Sequence, residues 1–479
     1  MCARLSLTVL YSLALLQGTV GIKPDASIDN DDAVRARRIG AFMGAFVADA
    51  AAMPLHWIYD TDLIASILEE TNLTATPEFL PTNQYCLFYH YPVGQFTPFG
   101  EQMAVYAHSV ADSKGVVPQN IADAYDAYYT KPENETRSFI SYIDNATRGF
   151  LENVALGKKY PHTGAGDTET NAVAHVLPVV VALAGKPTFL KEAEAAIRVV
   201  QDNDDAVAFG MTFARMLEKV ILGSSVKDAI LEVSNLLRTN GTGNTNDRWF
   251  GHALGKMEEW TPRPPFDVTL EIGQACDWPF HIFTAPQFLL HSASLPSPMT
   301  YADAIRETIK IGGENANRGS FIGSLLAAEA ATVDNPTVAI PDTWKTNTTR
   351  YKELLSVAES IVEATKSQPL EPFSGSKDKP LTYGLRNSPG CIAHSNHTTS
   401  NATHPPSHPD DIAGLRALYL ATGGPDRWIR NACWLNQSVP VCWWDQVRES
   451  WPMLLRLGGV LHNCYCYMML GSVQYHNVA

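Results

Sequence analysis

Four short segments of this 479-residue chain set acidic, amide or imidazole groups beside small residues where helices should begin or end. In G-A-F-V-A-D-A-A-A-M-P-L-H-W-I-Y-D, residues 44–60, Asp49 stands alone in an Ala-rich apolar run. A carboxylate buried there needs a partner, either a neighbouring loop that it caps or a bound group. Pro54 ends the helix and puts His56, Trp57, Tyr59 and Asp60 on a loop expected to face a cleft. A Trp and a Tyr beside a His and an Asp suit stacking on a sugar or base, and they equally suit plain loop packing. In F-T-P-F-G-E-Q-M, residues 96–103, Glu101 and Gln102 open a helix, where a lone Glu at least complements the helix dipole. In H-T-G-A-G-D-T-E-T-N-A-V-A-H, residues 162–175, Asp167 and Glu169 precede or begin a helix, and capping is again the plainer use. In I-G-G-E-N-A-N-R-G-S-F-I-G, residues 311–323, a Gly pair leads through Glu314, Asn315 and Asn317 to Arg318 and a small-residue helix. A polar loop feeding such a helix is suited to gripping a metal ion, an anion or a sugar. Arg318 could pair with Glu101, Glu314 or Asp167, or bind an anionic substrate.

The elements that must hold these groups are helical. From about residue 31 to 366 apolar residues recur at i, i+3 and i+4, and strand patterns are scarce. The first helix opens on an Asp pair at 31 and 32, and its small residues at i, i+4 spacing let a second helix approach closely. The periodicity predicts further helices near 101–113, 119–129, 135–156, 168–184, 188–200, 203–222, 226–238, 279–293, 299–310, 318–332 and 350–366. So many helices with short connections predict a single large all-α globule over 31–366.

Charge and composition exclude some partners. The formal net charge is −14, which repels phosphate backbones, and no basic patch with interleaved aromatics argues for nucleic acid. Residues 1–21 read as a signal peptide: Arg4, an apolar core from Leu5 to Leu16, and small residues at Thr19 and Gly21. That core is too short to span a bilayer, no later segment reads as a membrane span, and the chain is expected in the secretory pathway or outside the cell. N-glycosylation sequons at Asn72, Asn134, Asn145, Asn240, Asn347, Asn396, Asn401 and Asn436 agree. Residues 367–410, rich in Ser, Thr, Pro and His, predict a solvated linker, with His394, His397, His404 and His408 as a weak alternative metal cluster. In residues 411–479, Cys433, Cys442, Cys464 and Cys466 read, with Cys391, as a small disulfide framework of unassigned pairing. The stretch A-L-Y-L-A-T-G-G and the tryptophans that follow resemble the N-terminal cap of secreted leucine-rich-repeat proteins, without the repeats that should come next.

In order and spacing, the four segments together resemble the ADP-ribosylglycohydrolase superfamily, an all-α fold that also includes J-class lens crystallins. The family's G-x-x-x-G-D-A-x-G falls on residues 44–52, with Asp49 on its Asp. T-D-D-T-Q-M falls on 98–103, and G-G-D-T-D-T on 312–317. G-Q-A-C-D-W-P-F-H-I-F at 273–283 and I-P-D-T-W at 340–344 extend the match, so that it covers roughly residues 35–366. The resemblance implies a Mg²⁺ pair that holds ADP-ribose hydroxyls, yet Phe99, Gly100 and Ala316 stand where the motifs have Asp. Mg²⁺ wants six oxygen ligands, charged carboxylates among them, so Glu101 and Glu314 are expected to hold one weak ion at most.

By the same resemblance, the chain is expected to act on a glycosidic bond in an ADP-ribose-like small molecule. Asp49 or Glu101 would then be the acid/base and Asp167 the second carboxylate. His56 and Trp57 would form one wall, and Asp60, Gln102, Asn315, Asn317 and Arg318 would position the substrate. The alternative is a catalytically inactive, crystallin-like binding or structural protein.

Overall fold

The computed structural model describes residues 31–81, 85, 86, 88–130, 142–239, 245–274 and 278–366. The signal-peptide, linker, disulfide and cap-like readings all fall outside the described residues. The described part lies within one unit, Met1–Gly384, and the second unit, Leu385–Ala479, lies beyond it. Among the described residues there are helices and no strand, as the periodicity predicts; a single parallel bridge joins Ala165 to Gln201.

Helix α1 (Asp31–Ala52) runs through the core. It is long and apolar enough to cross a membrane by length and composition, but that stretch is wholly buried inside the protein. Its most extensive partner is α14 (Asn315–Ala330). Small residues make this approach possible. A Cβ on Gly44 would sit 2.5 Å from both Ala327 Cβ and Gly323 O. Ser320 Oγ of α14 also donates to Ala45 O of α1 at 3.2 Å, and Tyr301 Oη, from outside α14, donates to Gly44 O at 2.7 Å.

The remaining elements run in chain order: α2 (Thr61–Glu70), α3 (Pro98–Ser113), α4 (Pro118–Thr130), α5 (Asn145–Ala155), α6 (Ala172–Leu183), α7 (Phe189–Val200) and α8 (Asp204–Ile221). They continue with α9 (Val226–Thr239), α10 (Thr245–Glu259), α11 (Pro265–Ile272), α12 (Trp278–Ser294), α13 (Tyr301–Ile311), α15 (Asp342–Asn347) and α16 (Tyr351–Ala364). Helix α6 is apolar on every side and fully buried; α3, α7 and α8 pack on it. Each large apolar side chain removed from water in such a core stabilises the fold by roughly 1.5–3 kcal/mol.

Several boundaries differ from the sequence reading, for identifiable reasons. Helix α3 begins at Pro98 and not near 101, because Thr97 caps it with its side chain and Pro occupies the first turn, a start signal legible in T-P. The predicted 135–156 helix is described as α5 from Asn145, capped by Asp144, whose carboxylate accepts from Thr147 N. Helix α14 starts at Asn315, so Arg318 lies in its first turn and not at its start. The sequence reading named no helix at α2, α10, α11 or α15. Helices α11 and α15 are short, at 8 and 6 residues, and such elements form through tertiary packing more than through their own periodicity.

Candidate functional site

The four chemistry-bearing segments meet, and side-chain hydrogen bonds stitch them into a ring. Asp49, 0 % exposed, joins the end of α1 to the start of α3: Thr97 N donates to Oδ1 at 2.8 Å and Thr97 Oγ1 to Oδ2 at 2.5 Å. Helix α3 is joined to the segment before α6 by Gln102, whose Oε1 accepts from Asn171 Nδ2 at 2.9 Å and shares a 3.0 Å bond with His175 Nε2. That segment is joined to α14 by Asn317, whose Nδ2 donates to Thr170 Oγ1 at 2.6 Å and Thr170 O at 3.0 Å. Glu314, again 0 % exposed, closes the ring to the loop after α1: Trp57 Nε1 donates to it at 2.5 Å and His56 Nε2 lies 3.1 Å away.

The Gly pair at 312 and 313 lets that last joint form. Both have positive φ, 75° and 59°, and a Cβ on Gly313 would sit 2.4 Å from Gln274 O. Here the backbone itself is interlocked, with Trp57 N donating to Gly313 O at 2.9 Å and Gly313 N to Ile58 O at 2.7 Å. His56 Nδ1 shares a 2.6 Å hydrogen bond with the Tyr89 hydroxyl. If Nε2–H is donated to Glu314, Nδ1 is left to accept from the Tyr89 hydroxyl. The His56 ring stacks on Trp57 at 4.7 Å, and Phe88, Tyr89, Phe99 and Tyr142 meet the Trp57 ring edge-on.

The remaining residues singled out in the four segments can now be placed. His56 and Trp57 are buried, whereas Tyr59 and Asp60 are exposed, so the loop does not present the four together to a cleft. Asp60 caps α2, accepting from Asp62 N and Leu63 N at 3.0 and 3.1 Å. Glu101, 2 % exposed, accepts from Tyr128 Oη at 2.6 Å and faces Arg350 Nη1 at 3.3 Å. Asp167 is half-buried in the loop before α6, where it accepts from Glu169 N at 2.9 Å and Gln201 Nε2 at 3.1 Å. Asn315 Nδ2 donates to Leu55 O at 3.0 Å. Arg318, 1 % exposed, takes the carbonyl end of α13: Nη2 donates to Thr308 O and Gly312 O at 3.0 and 2.8 Å, and Nε to Thr308 Oγ1 at 2.7 Å. A cation there complements the helix dipole, and burial lowers its pKa to about 10.

The electrostatics follow from burial. Desolvation raises the Asp49 carboxyl to about 7 despite the two Thr97 bonds, and the nearby Glu101 and Glu314 add to the rise. Desolvation likewise raises Asp144, which receives Gln102 Nε2 and Asn171 Nδ2. It lowers His175 to about 3, so the ring bonded to Gln102 is neutral at physiological pH.

The residues present do not fit a Mg²⁺ pair. Glu314 is taken by His56 and Trp57, Asp49 by Thr97, and Glu101 by Tyr128 with a cation, Arg350, already beside it. At Gly100 there is no room for the family's Asp, because a Cβ would lie 2.3 Å from Asp49 Oδ1 and 2.6 Å from Phe96 Cβ. Among the described residues no three His, Cys, Asp or Glu side chains gather as metal ligands would.

Sequence reasoning did not pick out Thr97, Tyr89, Tyr128, Asp144 or Arg350, all of which complete the ring or occupy its carboxylates. Thr97 before Pro98, and Asp144 before an amphipathic helix, are legible as N-caps. Nothing local marks Tyr89 or Arg350, which arrive from distant parts of the chain.

The described part is an all-α globule whose four polar motifs converge at helix ends, one of them a Gly-Gly turn into α14. The family model for ADP-ribosylglycohydrolase matches residues 30–371, and the chain belongs to that family. It is 26% identical over 348 residues to crystallin J1A of Tripedalia cystophora, covering 70% of this chain and 99% of that protein. To crystallin J1B of the same organism it is 25% identical over 346 residues, with the same coverage. A solved structure described as an ADP-ribosylglycohydrolase-related protein complex aligns with a TM-score of 0.46 at 20% identity, covering 69% of this chain and 99% of that one.

Proposed function

We propose that this chain is a non-hydrolytic, crystallin-like member of the ADP-ribosylglycohydrolase family, a structural or binding protein whose former catalytic ring now holds the fold together. One observation carries the reading. Each carboxylate remaining in the family's motif positions is buried and engaged by the protein's own groups: Asp49 by Thr97, Glu101 by Tyr128 and Arg350, Glu314 by His56 and Trp57. A buried carboxylate bonded in this way is already held by the protein's own donors, and exchanging them for an ion or a substrate hydroxyl costs the desolvation of each donor released. The similarity to two crystallins supports the same reading.

The test is hydrolysis of an ADP-ribosyl bond, followed as ADP-ribose release with and without Mg²⁺, beside a thermal-shift titration with ADP-ribose. The expected outcome is release no faster than the blank and no Mg²⁺-dependent shift. Mg²⁺-dependent release that disappears in Glu314→Gln would overturn the proposal.

A second reading, a metal-independent hydrolase acting on a ribosyl-type bond, is favoured by Asp167. That residue remains half-exposed next to the ring, and Asp49 has a neutral-range carboxyl. Release that needs no metal and is lost in Asp167→Asn would support it. We also propose passage through the secretory pathway. The sequon asparagines among the described residues, Asn72, Asn145 and Asn347, are all exposed, as glycan attachment requires. A mass loss on glycosidase treatment of the secreted chain tests this.

A further inference from the structure

One carboxylate of the ring is met by a cation from far along the chain. Arg350, immediately before α16, lies 249 residues from Glu101 and places Nη1 3.3 Å from its Oε2. The Glu101 side chain is 3 % exposed and that of Arg350 25 %, so the guanidinium approaches the buried carboxylate from the solvent side. The rest of the cation is fixed as well. Nε and Nη2 fork onto Glu353 at 3.0 and 2.7 Å, Nη2 lies 3.3 Å from His108 Nε2, and Cζ stands 5.8 Å from the centre of the Phe96 ring. Burial works against the Arg350 charge, but the Glu353 bonds and the Glu101 and Glu353 charges outweigh it and raise its pKa.

A buried carboxylate is costly unless a positive charge or several donors accompany it. The sequence leads one to expect a weakly held divalent ion at Glu101; the fold supplies a guanidinium. The surroundings suit that choice. Tyr128 Oη donates to the same Oε2 at 2.6 Å, and Phe96 lies alongside. A guanidinium is satisfied by a carboxylate edge and an aromatic neighbour. Mg²⁺ needs six oxygens, and Asp49 and Glu314 are engaged by other donors.

We propose that Glu101 is a cation seat filled from within the chain: Arg350 takes the place of a dissociable ion, and in doing so latches α16, which packs on α1 and α3, to the ring. The assignment rests on reading the ring as a joint of the fold. It predicts that removing the Arg350 side chain leaves a seat that a free guanidinium-type cation fills and a divalent ion does not.

Thermal unfolding of the full chain and of Arg350→Ala, with methylguanidinium chloride titrated in against sodium chloride at constant ionic strength, tests it. Arg350→Ala is expected to melt about 4 °C or more below the parent, because a buried carboxylate has lost its cation. Methylguanidinium at about 50 mM should restore about half of that loss and leave the parent unmoved. The restoration should vanish in the double variant Glu101→Gln/Arg350→Ala, and Mg²⁺ at about 5 mM should restore nothing. No restoration by methylguanidinium, restoration that persists with Glu101→Gln, or restoration by Mg²⁺ to the same extent would each overturn the assignment. If Arg350→Ala does not fold, Arg350→Gln, which keeps the stem without the charge, is titrated in its place, and no response there overturns the proposal equally. No substrate enters this experiment, so its failure is distinct from failure of the non-hydrolytic reading, which ADP-ribose release decides.

Discussion

The two ends of helix α1 make opposite use of buried charge. At its C-terminal end, Asp49 and the neighbouring His56 join Glu101 and Glu314 in a ring in which each carboxylate is engaged by a protein donor. At its N-terminal end, Arg38 and Lys186 line a small cavity, and the Arg38 Nε has no hydrogen-bond partner among the described residues. Both sets of charges are out of water, so burial alone does not mark a working site. What distinguishes the two ends is how completely the protein's own donors and acceptors match the buried charge.

The largest effect expected to test this contrast comes from restoring the family residue at position 100. Gly100→Asp would push a second carboxylate against Asp49 in a dry space, and should cost about 4 kcal/mol or more, or prevent folding. Urea denaturation reads this directly, and a variant as stable as the parent would mean the ring has room for an ion ligand after all.

Next comes the pH dependence of Asp49. Its folded pKa, about 7, lies above the usual carboxyl value, so the folded state holds a proton that the unfolded chain has lost. Below about pH 4 both states are protonated and Asp49 adds no pH dependence. Between about 4 and 7 stability falls as pH rises, by on the order of 4 kcal/mol in all, and above 7 the loss is complete. Asp49→Asn removes that contribution, so the stability difference between parent and variant should slope across this window and level off outside it. A flat difference would mean Asp49 is not desolvated. His175 acts in the opposite sense. Its folded pKa near 3 means that its stabilisation is present above the ordinary imidazole range and is lost as pH falls towards 3.

Smaller again is the loss of Glu314. Glu314→Ala strands the donors of His56 and Trp57 and should cost about 3 kcal/mol, since two buried groups lose their acceptor. At the other end of α1, Glu363→Ala on the exposed cavity rim should change stability by about 0.5 kcal/mol or less. Similar losses from the two changes would erase the distinction drawn between the two ends.

Much of this architecture was legible from local pattern. Small residues at i, i+4 in α1 announce a close partner, and α14 supplies it through Gly323 and Ala327. The order of the four polar segments, with the Gly-Gly turn, pointed to the family whose model matches residues 30–371. Asp49, Gln102, Asn317 and Glu314 are linked in sequence through Thr97, Asn171, Thr170 and Trp57. Local pattern could not show that Asp60 would turn outward as a cap, or that Arg318 would be consumed by the end of α13.

Composition and motif spacing by themselves determined the all-α class, the family and the loss of Asp at positions 99, 100 and 316, because these depend on side-chain identity and short-range periodicity. Only the tertiary structure decided what each remaining carboxylate holds. Thr97 lies 48 residues from Asp49, Trp57 is 257 from Glu314, and Arg350 is 249 from Glu101. Partners so remote are chosen by how helices pack, and in a dry interior a carboxylate's chemistry is set by the donors that packing brings to it.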